Sequence, residues 1–389
     1  MVPGSNGLVG RTFGPYRIKS VERPGDLVHQ FIADDMSNGP RRQVLLKVLT
    51  QRGLETPEVS QAFDDEAEVA LELDHPSILP AFARPTIDEK PAIAYAAYSG
   101  TRLDRLMHML FSRQLSVPLP VAGTLAVRLL QALEYAHERD PAVLHRGINP
   151  EHVYLPDGGE VKLAHFSCGG ADPASTVALM ARLPYLAPEH IKNEGVSSAS
   201  DLYSVAVLTT ELLAGKRVFH AESPKHLVQS IVGRQRLPVE RLLPFRSTAL
   251  AEVLEGALAL DPKLRPATAL EFRRKLERAL AQSAVSASDD HVARYLDGCR
   301  RIVSGGHEQR LPHTRDLLAQ HRVGALPLDV DRVQPGREQV VSRPAMPAPT
   351  AEATAEPEAP AGEDPPRRRR RLLWLLLLAS ATAALALAQ

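Results

Sequence analysis

LHRGINPEHVYL, residues 144–155, is the stretch that decides how this chain is read. It lies in the second of two differently patterned parts of one dense region, residues 16–280. Upstream, YRIKSV, HQFIAD and RQVLLKVLT alternate like strands, with Gly/Pro turn material between them. A helical run at 60–73 and the strand-like PAIAYAAY follow. Beyond Thr101 the periodicity becomes mostly helical, as in 124–138, 201–215 and 268–280. A small β-rich lobe followed by a larger helical lobe predicts a cleft between them.

The composition narrows the classes. The chain has 389 residues, which by length alone is two or three domains, or one large domain with extensions. It carries 46 Lys+Arg and 46 Asp+Glu. A neutral chain is not expected to bind nucleic acid, whose backbone contacts need a cationic surface. Five of the positive charges are stacked at 367–371, leaving 41 against 46 elsewhere, a net −5. Two cysteines, Cys168 and Cys299, exclude a disulfide-rich scaffold.

Several landmarks stand in order along the dense region. They are Lys47 in VLLKVL, Glu66 in FDDEAEVALELDHPSI, LHRGINPEHVYL, VKLAHFS (161–167), YLAPEH (185–190), Asp201 and Arg265. Together they resemble the motifs of a eukaryotic-type serine/threonine protein kinase of the bacterial, membrane-bound kind. The resemblance covers roughly residues 14–280. It implies an α+β, bilobal kinase-like fold, with an N-lobe at about 14–100 and a C-lobe at about 101–280. It also implies that Lys47 holds nucleotide phosphates and that Glu66 is its ion-pair partner. Residues 144–155 would be the catalytic loop and 161–167 the metal-binding motif. His145, Phe166 and Asp201 would fix the loop to the C-lobe core, and Glu189 would pair with Arg265. The Lys47–Glu66 pair can equally serve only to couple the lobes.

The chemistry that the resemblance implies is missing from these positions. An active catalytic loop reads H-R-D-x-x-x-x-N, its Asp taking the hydroxyl proton and its Asn holding magnesium. Here the base position is Gly147, the lysine two residues on is Asn149, and the metal position is His152. The metal-binding Asp of the next motif is His165. Phosphoryl transfer rests on positioning and electrostatic stabilisation, and each lost group is worth on the order of 2–4 kcal/mol. The glycine-rich loop positions are Arg23, Gly25 and Val28, with Gln30 beyond, so one glycine remains for close approach to phosphate. Leu45 and Tyr154 stand where small or aliphatic residues would border adenine, and they are expected to fill part of that volume. The Thr expected five residues before the APE motif is Arg182. No catalytic residue and no cofactor are expected, with residual ATP binding left open at Lys47, Glu66, Gly25, Leu45 and Tyr154.

His152 and His165 invite a second reading, because two imidazoles facing one cleft suit a transition metal better than magnesium. A third ligand would have to come from Glu151 or Cys168. The plainer reading is two ordinary histidines filling a vacated pocket. Ser175 and Thr176 are candidate targets of another kinase.

The tail carries separate expectations. Residues 281–342 hold short helical patterns, HVARYLDGCRRIV and HTRDLLAQHRV, without recognisable chemistry. Residues 343–366, rich in Pro, Ala and Glu, read as an extended linker. Residues 372–388 are uncharged and apolar behind Arg367–Arg371, which predicts a single C-terminal membrane helix with residues 1–366 cytoplasmic. No secretory signal is read at the N-terminus. A sensory domain beyond the membrane is not expected, since the sequence stops at Gln389. The resulting functional expectation is a catalytically inactive, membrane-tethered pseudokinase that scaffolds or regulates a cytoplasmic signalling protein or an active kinase. The alternatives are an active kinase using non-standard residues and a nucleotide-binding switch without catalysis.

Overall fold

The computed structural model describes residues 8–304, except 38–41, 168–179, 222, 234–235, 237 and 244–247. The N-lobe is an antiparallel sheet. Its strands are β1 (Thr12–Phe13), β2 (Tyr16–Arg23), β3 (Val28–Asp35), β4 (Arg42–Leu49), β5 (Ala81–Ala83), β6 (Thr86–Ile87) and β7 (Lys90–Ala96). Their order is β1-β2-β3-β4-β7-β5, with β6 paired to β7. β4 is central, so six consecutive residues from Val44 to Leu49 are buried on both faces of the sheet. Lys47 lies within that run, opposite Gln30 on one side and Ile93 on the other.

A short helix α1 (Gln51–Leu54) leads into α2 (Pro57–Glu72), which packs on this sheet. Proline opens α2, where its missing N–H is harmless, and Glu58 in the first turn complements the helix dipole. Val59, Phe63, Glu66, Ala67 and Ala70 form its buried stripe at helical spacing. One acid therefore points inward along an apolar face. That single departure positions the site.

The C-lobe contains a small sheet of β8 (Gly100–Arg102), β9 (Val153–Pro156) and β10 (Lys162–Leu163). Its helices are α3 (Leu103–Phe111), α4 (Leu119–His137), α5 (Pro188–Ile191), α6 (Ser198–Ala214), α7 (Pro224–Val232), α8 (Val239–Leu242), α9 (Thr248–Ala257), α10 (Ala269–Gln282) and α11 (Asp289–Ser304). α4 starts five residues before the predicted 124, since Pro120 is tolerated in its first turn. α6 is buried along nearly its whole length and ends at Gly215, whose φ of 67° is the left-handed conformation glycine adopts freely. The helix predicted in HVARYLDGCRRIV is α11, and it packs on α4.

The expected membrane helix is corrected. Among the described residues no helix is long and apolar enough to cross a membrane. Residues 372–388 lie outside the described residues, as do the linker at 343–366, Arg367–Arg371 and HTRDLLAQHRV. The membrane as partner, and the localisation and tether built on it, are withdrawn.

The buttress between Glu189 and Arg265 is formed. Arg265 donates through Nη1 and Nη2 to the two Glu189 oxygens at 2.7 and 2.8 Å, and through Nε to the Ala259 carbonyl at 2.9 Å. Burial would raise the Glu189 carboxyl, but Arg265 and the Ser200 hydroxyl outweigh it and hold the group below its ordinary value. Removing one partner of such a pair strands the other charge. Arg265→Ala is expected to destabilise the fold by about 3–5 kcal/mol, read from the denaturant midpoint against the parent chain.

Candidate functional site

The cleft is organised by Glu66, whose carboxylate is buried and fully engaged. Lys47 Nζ donates to Oε2 at 2.5 Å. The Tyr95 hydroxyl donates to Oε1 at 2.8 Å, and His165 Nδ1 lies 2.9 Å from the same oxygen. The predicted Lys47–Glu66 pair is therefore present, and two further partners complete it. Nothing local marks Tyr95, which reads as one more aromatic residue in an apolar strand.

His165 fills the place where the resemblance puts a metal-binding carboxylate, with its ring against Glu66. Its Nε2 lies 2.9 Å from the Tyr154 hydroxyl and 3.4 Å from Gln30 Nε2. The network assigns the tautomer: Nδ1–H donates to Glu66, and the Nε2 lone pair accepts from Tyr154. Tyr154 is fully buried and meets Tyr98 edge-on at 4.9 Å, while Leu45 of β4 is also fully buried. Both expected space-fillers are thus inside the cleft core, packed in one apolar cluster with Tyr95 and Phe63.

The catalytic-loop positions turn on one another. Asn149 donates to the Gly147 carbonyl at 3.0 Å, accepts from the Glu151 N–H at 2.8 Å, and lies 3.4 Å from His152 Nδ1. His145 Nε2 holds the Ala164 carbonyl at 2.9 Å, and its ring lies 4.8 Å from that of Phe166. Asp201 accepts from the His145 and Arg146 N–H groups, both at 2.8 Å. The framework task assigned to His145, Phe166 and Asp201 is carried out. No carboxylate stands at the positions of base or metal ligand.

His152 and His165 do meet, with ring centroids 5.2 Å apart. Both nitrogens of His165 are already engaged by Glu66 and Tyr154, so a metal would have to displace one of them. Among the described residues no group of three His, Cys, Asp or Glu is placed to hold a metal. Glu151, the nearer candidate ligand, instead pairs with Arg23, Nη2 to Oε2 at 2.9 Å. Cys168, Ser175 and Thr176 lie outside the described residues.

That Arg23–Glu151 pair has a further effect, because it joins the β2–β3 hairpin to the catalytic loop across the cleft mouth. Beside it, Arg105 of α3 reaches Glu22 Oε1 at 3.0 Å and the Glu22 carbonyl at 3.1 Å, and Arg102 lies 4.0 Å from the same carboxylate. The Gly25 N–H, the one glycine left to approach phosphate, donates to His29 Nδ1 at 3.2 Å. Each partly exposed pair contributes about 0–1 kcal/mol. Several together tie the β2–β3 hairpin to α3 and the catalytic loop. Arg23 was noted in the sequence as a lost glycine, but its partner was beyond reach of local reading.

The ionisation states follow from burial and neighbours. Burial would raise Glu66, but the Lys47 ammonium and the His165 contact override it and hold the carboxyl down at about 2. Burial, then the Lys47 charge, depresses His165 to about 4 against the opposing pull of Glu66. Burial, then neighbouring His165 and His145, takes His152 well below its ordinary value. Burial raises the Tyr154 phenol, which keeps it a neutral donor. At neutral pH the site holds one ion pair and neutral rings.

Residues 36–276 match the protein kinase domain family. The chain is similar to a probable serine/threonine-protein kinase of Streptomyces coelicolor, at 30% identity over 72% of this chain and 42% of that one. It is similar to the tyrosine-protein kinase MasK of Myxococcus xanthus, at 24% identity over 79% of this chain and 50% of that one. The matched region thus spans half or less of each of these relatives. Among solved structures it resembles the Mycobacterium tuberculosis PknI kinase domain, with a TM-score of 0.56 and 25% identity over 72% of this chain and all of that one.

Two measurements check the site. Tyr154→Ala empties the cleft core and is expected to cost about 3–5 kcal/mol, whereas Tyr154→Phe removes one hydrogen bond for about 1–3 kcal/mol, both read by chemical denaturation. His165 and Glu66 both have folded pKa values below their unfolded ones, so both favour the fold above those unfolded values. Their contributions are lost as pH falls, His165 between about 6.5 and about 4 and Glu66 from about 4.3 down to about 2. The thermal midpoint is expected to drop steadily across the upper window, and His165→Gln is expected to flatten that part of the curve.

Proposed function

The chain belongs to the protein kinase family, and from that premise we propose that it is a non-catalytic member. It acts as a pseudokinase, through contacts between its folded lobes and a signalling protein or an active kinase. One observation carries the reading: His165 spends both ring nitrogens inside the fold, on Glu66 and Tyr154, at the position where phosphoryl transfer needs a metal-binding carboxylate. Gly147 supplies no proton acceptor, and Asn149 is turned onto the Gly147 carbonyl.

The supporting chemistry is cumulative. Leu45 and Tyr154, which the resemblance puts beside adenine, are buried in one apolar cluster, and the β2–β3 hairpin is pinned through Glu22 and Arg23. Asp64 and Asp65 lie on α2 beside Glu66, but Asp64 pairs with Arg84 and Asp65 with Gln61, so neither stands in for the missing base. No nucleotide or metal cofactor is proposed, and no nucleic acid partner.

The test uses the full chain with labelled ATP and magnesium. Phosphate incorporation is expected to match that of a Lys47→Ala control, and ATP with magnesium is expected to leave the thermal midpoint in place. The combined Gly147→Asp/Asn149→Lys/His152→Asn/His165→Asp variant returns the reacting groups. It is expected to gain transfer only when Leu45→Ala/Tyr154→Ala reopens the adenine space. Incorporation by the unaltered chain that Lys47→Ala abolishes would overturn the proposal in favour of an active kinase. A large ATP-induced thermal shift without incorporation would favour a nucleotide-binding switch.

A further inference from the structure

Helix α11 follows the matched kinase domain in sequence and has no part in the cleft, yet it is built into the fold. Val292, Tyr295, Leu296 and Cys299 are buried at the spacing of one helical stripe, packed toward α4. Its entry is fixed twice on α4. The Thr124 hydroxyl accepts from the Ser288 N–H at 3.0 Å, and Arg128 Nε donates to Asp289 Oδ1 at 2.7 Å. Gly159, between β9 and β10, lets the helix approach. With φ at +91°, a Cβ there would stand 2.1 Å from the Asp289 carbonyl oxygen and 2.7 Å from the Ala293 nitrogen.

The other end of α11 reaches a different place. Arg300 Nη1 pairs with Asp157 Oδ1 at the β9–β10 turn. Asp157 Oδ2 accepts from the Ser99 hydroxyl at 2.6 Å, and the Asp157 N–H donates to the Ser99 carbonyl at 2.7 Å. Ser99 belongs to the three-residue link, 97–99, between β7 of the N-lobe and β8 of the C-lobe. One carboxylate thus ties α11 to the interlobe link.

We infer that α11 is a strap on the interlobe hinge: docked on α4, it uses Arg300 to hold Asp157 against Ser99 and so restrains opening of the lobes. Its two parts have different tasks. The Arg300 and Asp157 side chains are 47% and 39% exposed, so their pair is screened by solvent and cannot dock a helix. The apolar stripe docks it, and the pair sets where its end lies. The strap is independent of whether the cleft turns over ATP.

Cys299 gives the reporter. The chain has two cysteines, so Cys168→Ser in the full-length protein leaves this buried thiol alone. Maleimide labelling of Cys299 is expected to run about 100-fold or more slower than in denaturant, since access requires the helix to undock. Ala293→Glu forces a carboxylate against Gly159. It is expected to restore fast labelling and to raise amide exchange at residues 97–100 and 157 by about tenfold or more. Arg300→Glu is expected to keep Cys299 protected while raising exchange at the same amides, with unchanged circular dichroism. Unchanged hinge exchange in Arg300→Glu would overturn the strap whatever Ala293→Glu does. Labelling of the parent at its denatured rate, or of Arg300→Glu as fast as Ala293→Glu, would overturn it too.

Discussion

A single buried carboxylate holds the two lobes in register. Glu66 arrives on the apolar stripe of α2, where an unpaired charge would be untenable. It is satisfied by an ammonium from β4, a phenol from β7 and an imidazole from the C-lobe loop after β10. Helix, sheet and loop are thereby fixed to one pair of oxygen atoms. Breaking any one contact leaves the others buried and under-satisfied, so the arrangement is held together as a unit.

The same network explains why the loop keeps an unfavourable backbone. Arg146 and His165 have φ of 65° and 68°, a region that residues with side chains rarely adopt and that costs on the order of 1–3 kcal/mol each. Asp201 holds the Arg146 N–H, and Glu66 with Tyr154 holds the His165 ring. The conformation survives although the groups that would give it a catalytic purpose have been replaced.

Much of the architecture was legible because its signals are local. Alternation placed β2, β3, β4 and β7 to within a few residues, and helical periodicity placed α4, α6, α10 and α11. The ordered motifs identified the bilobal arrangement. The apolar stretch at 372–388 shows the limit of such reading: hydropathy describes a segment's composition, and no described helix carries that expectation into the structure. In the cleft, Gly147, Asn149, His152, His165, Leu45 and Tyr154 were all identified by position, and the Lys47–Glu66 pair was anticipated. Tyr95, Glu22, Arg102, Arg105, the contact of Gln30 with His165 and the Arg23–Glu151 pair were not, since each joins residues distant along the chain.

By itself, the sequence determined that a kinase-like frame is present and that Gly147, Asn149, His152 and His165 stand at its motif positions, because residue identity at ordered positions settles both. Only the tertiary structure decided what the substitutes do. Imidazole at position 165 could have bound a metal, faced water or joined the fold. Which of these it does depends on where the Glu66 and Tyr154 oxygens lie, atoms 99 and 11 residues away whose placement comes from packing. Hydrogen-bond partners are set by geometry in three dimensions, and a linear pattern carries that geometry only where the partners are neighbours.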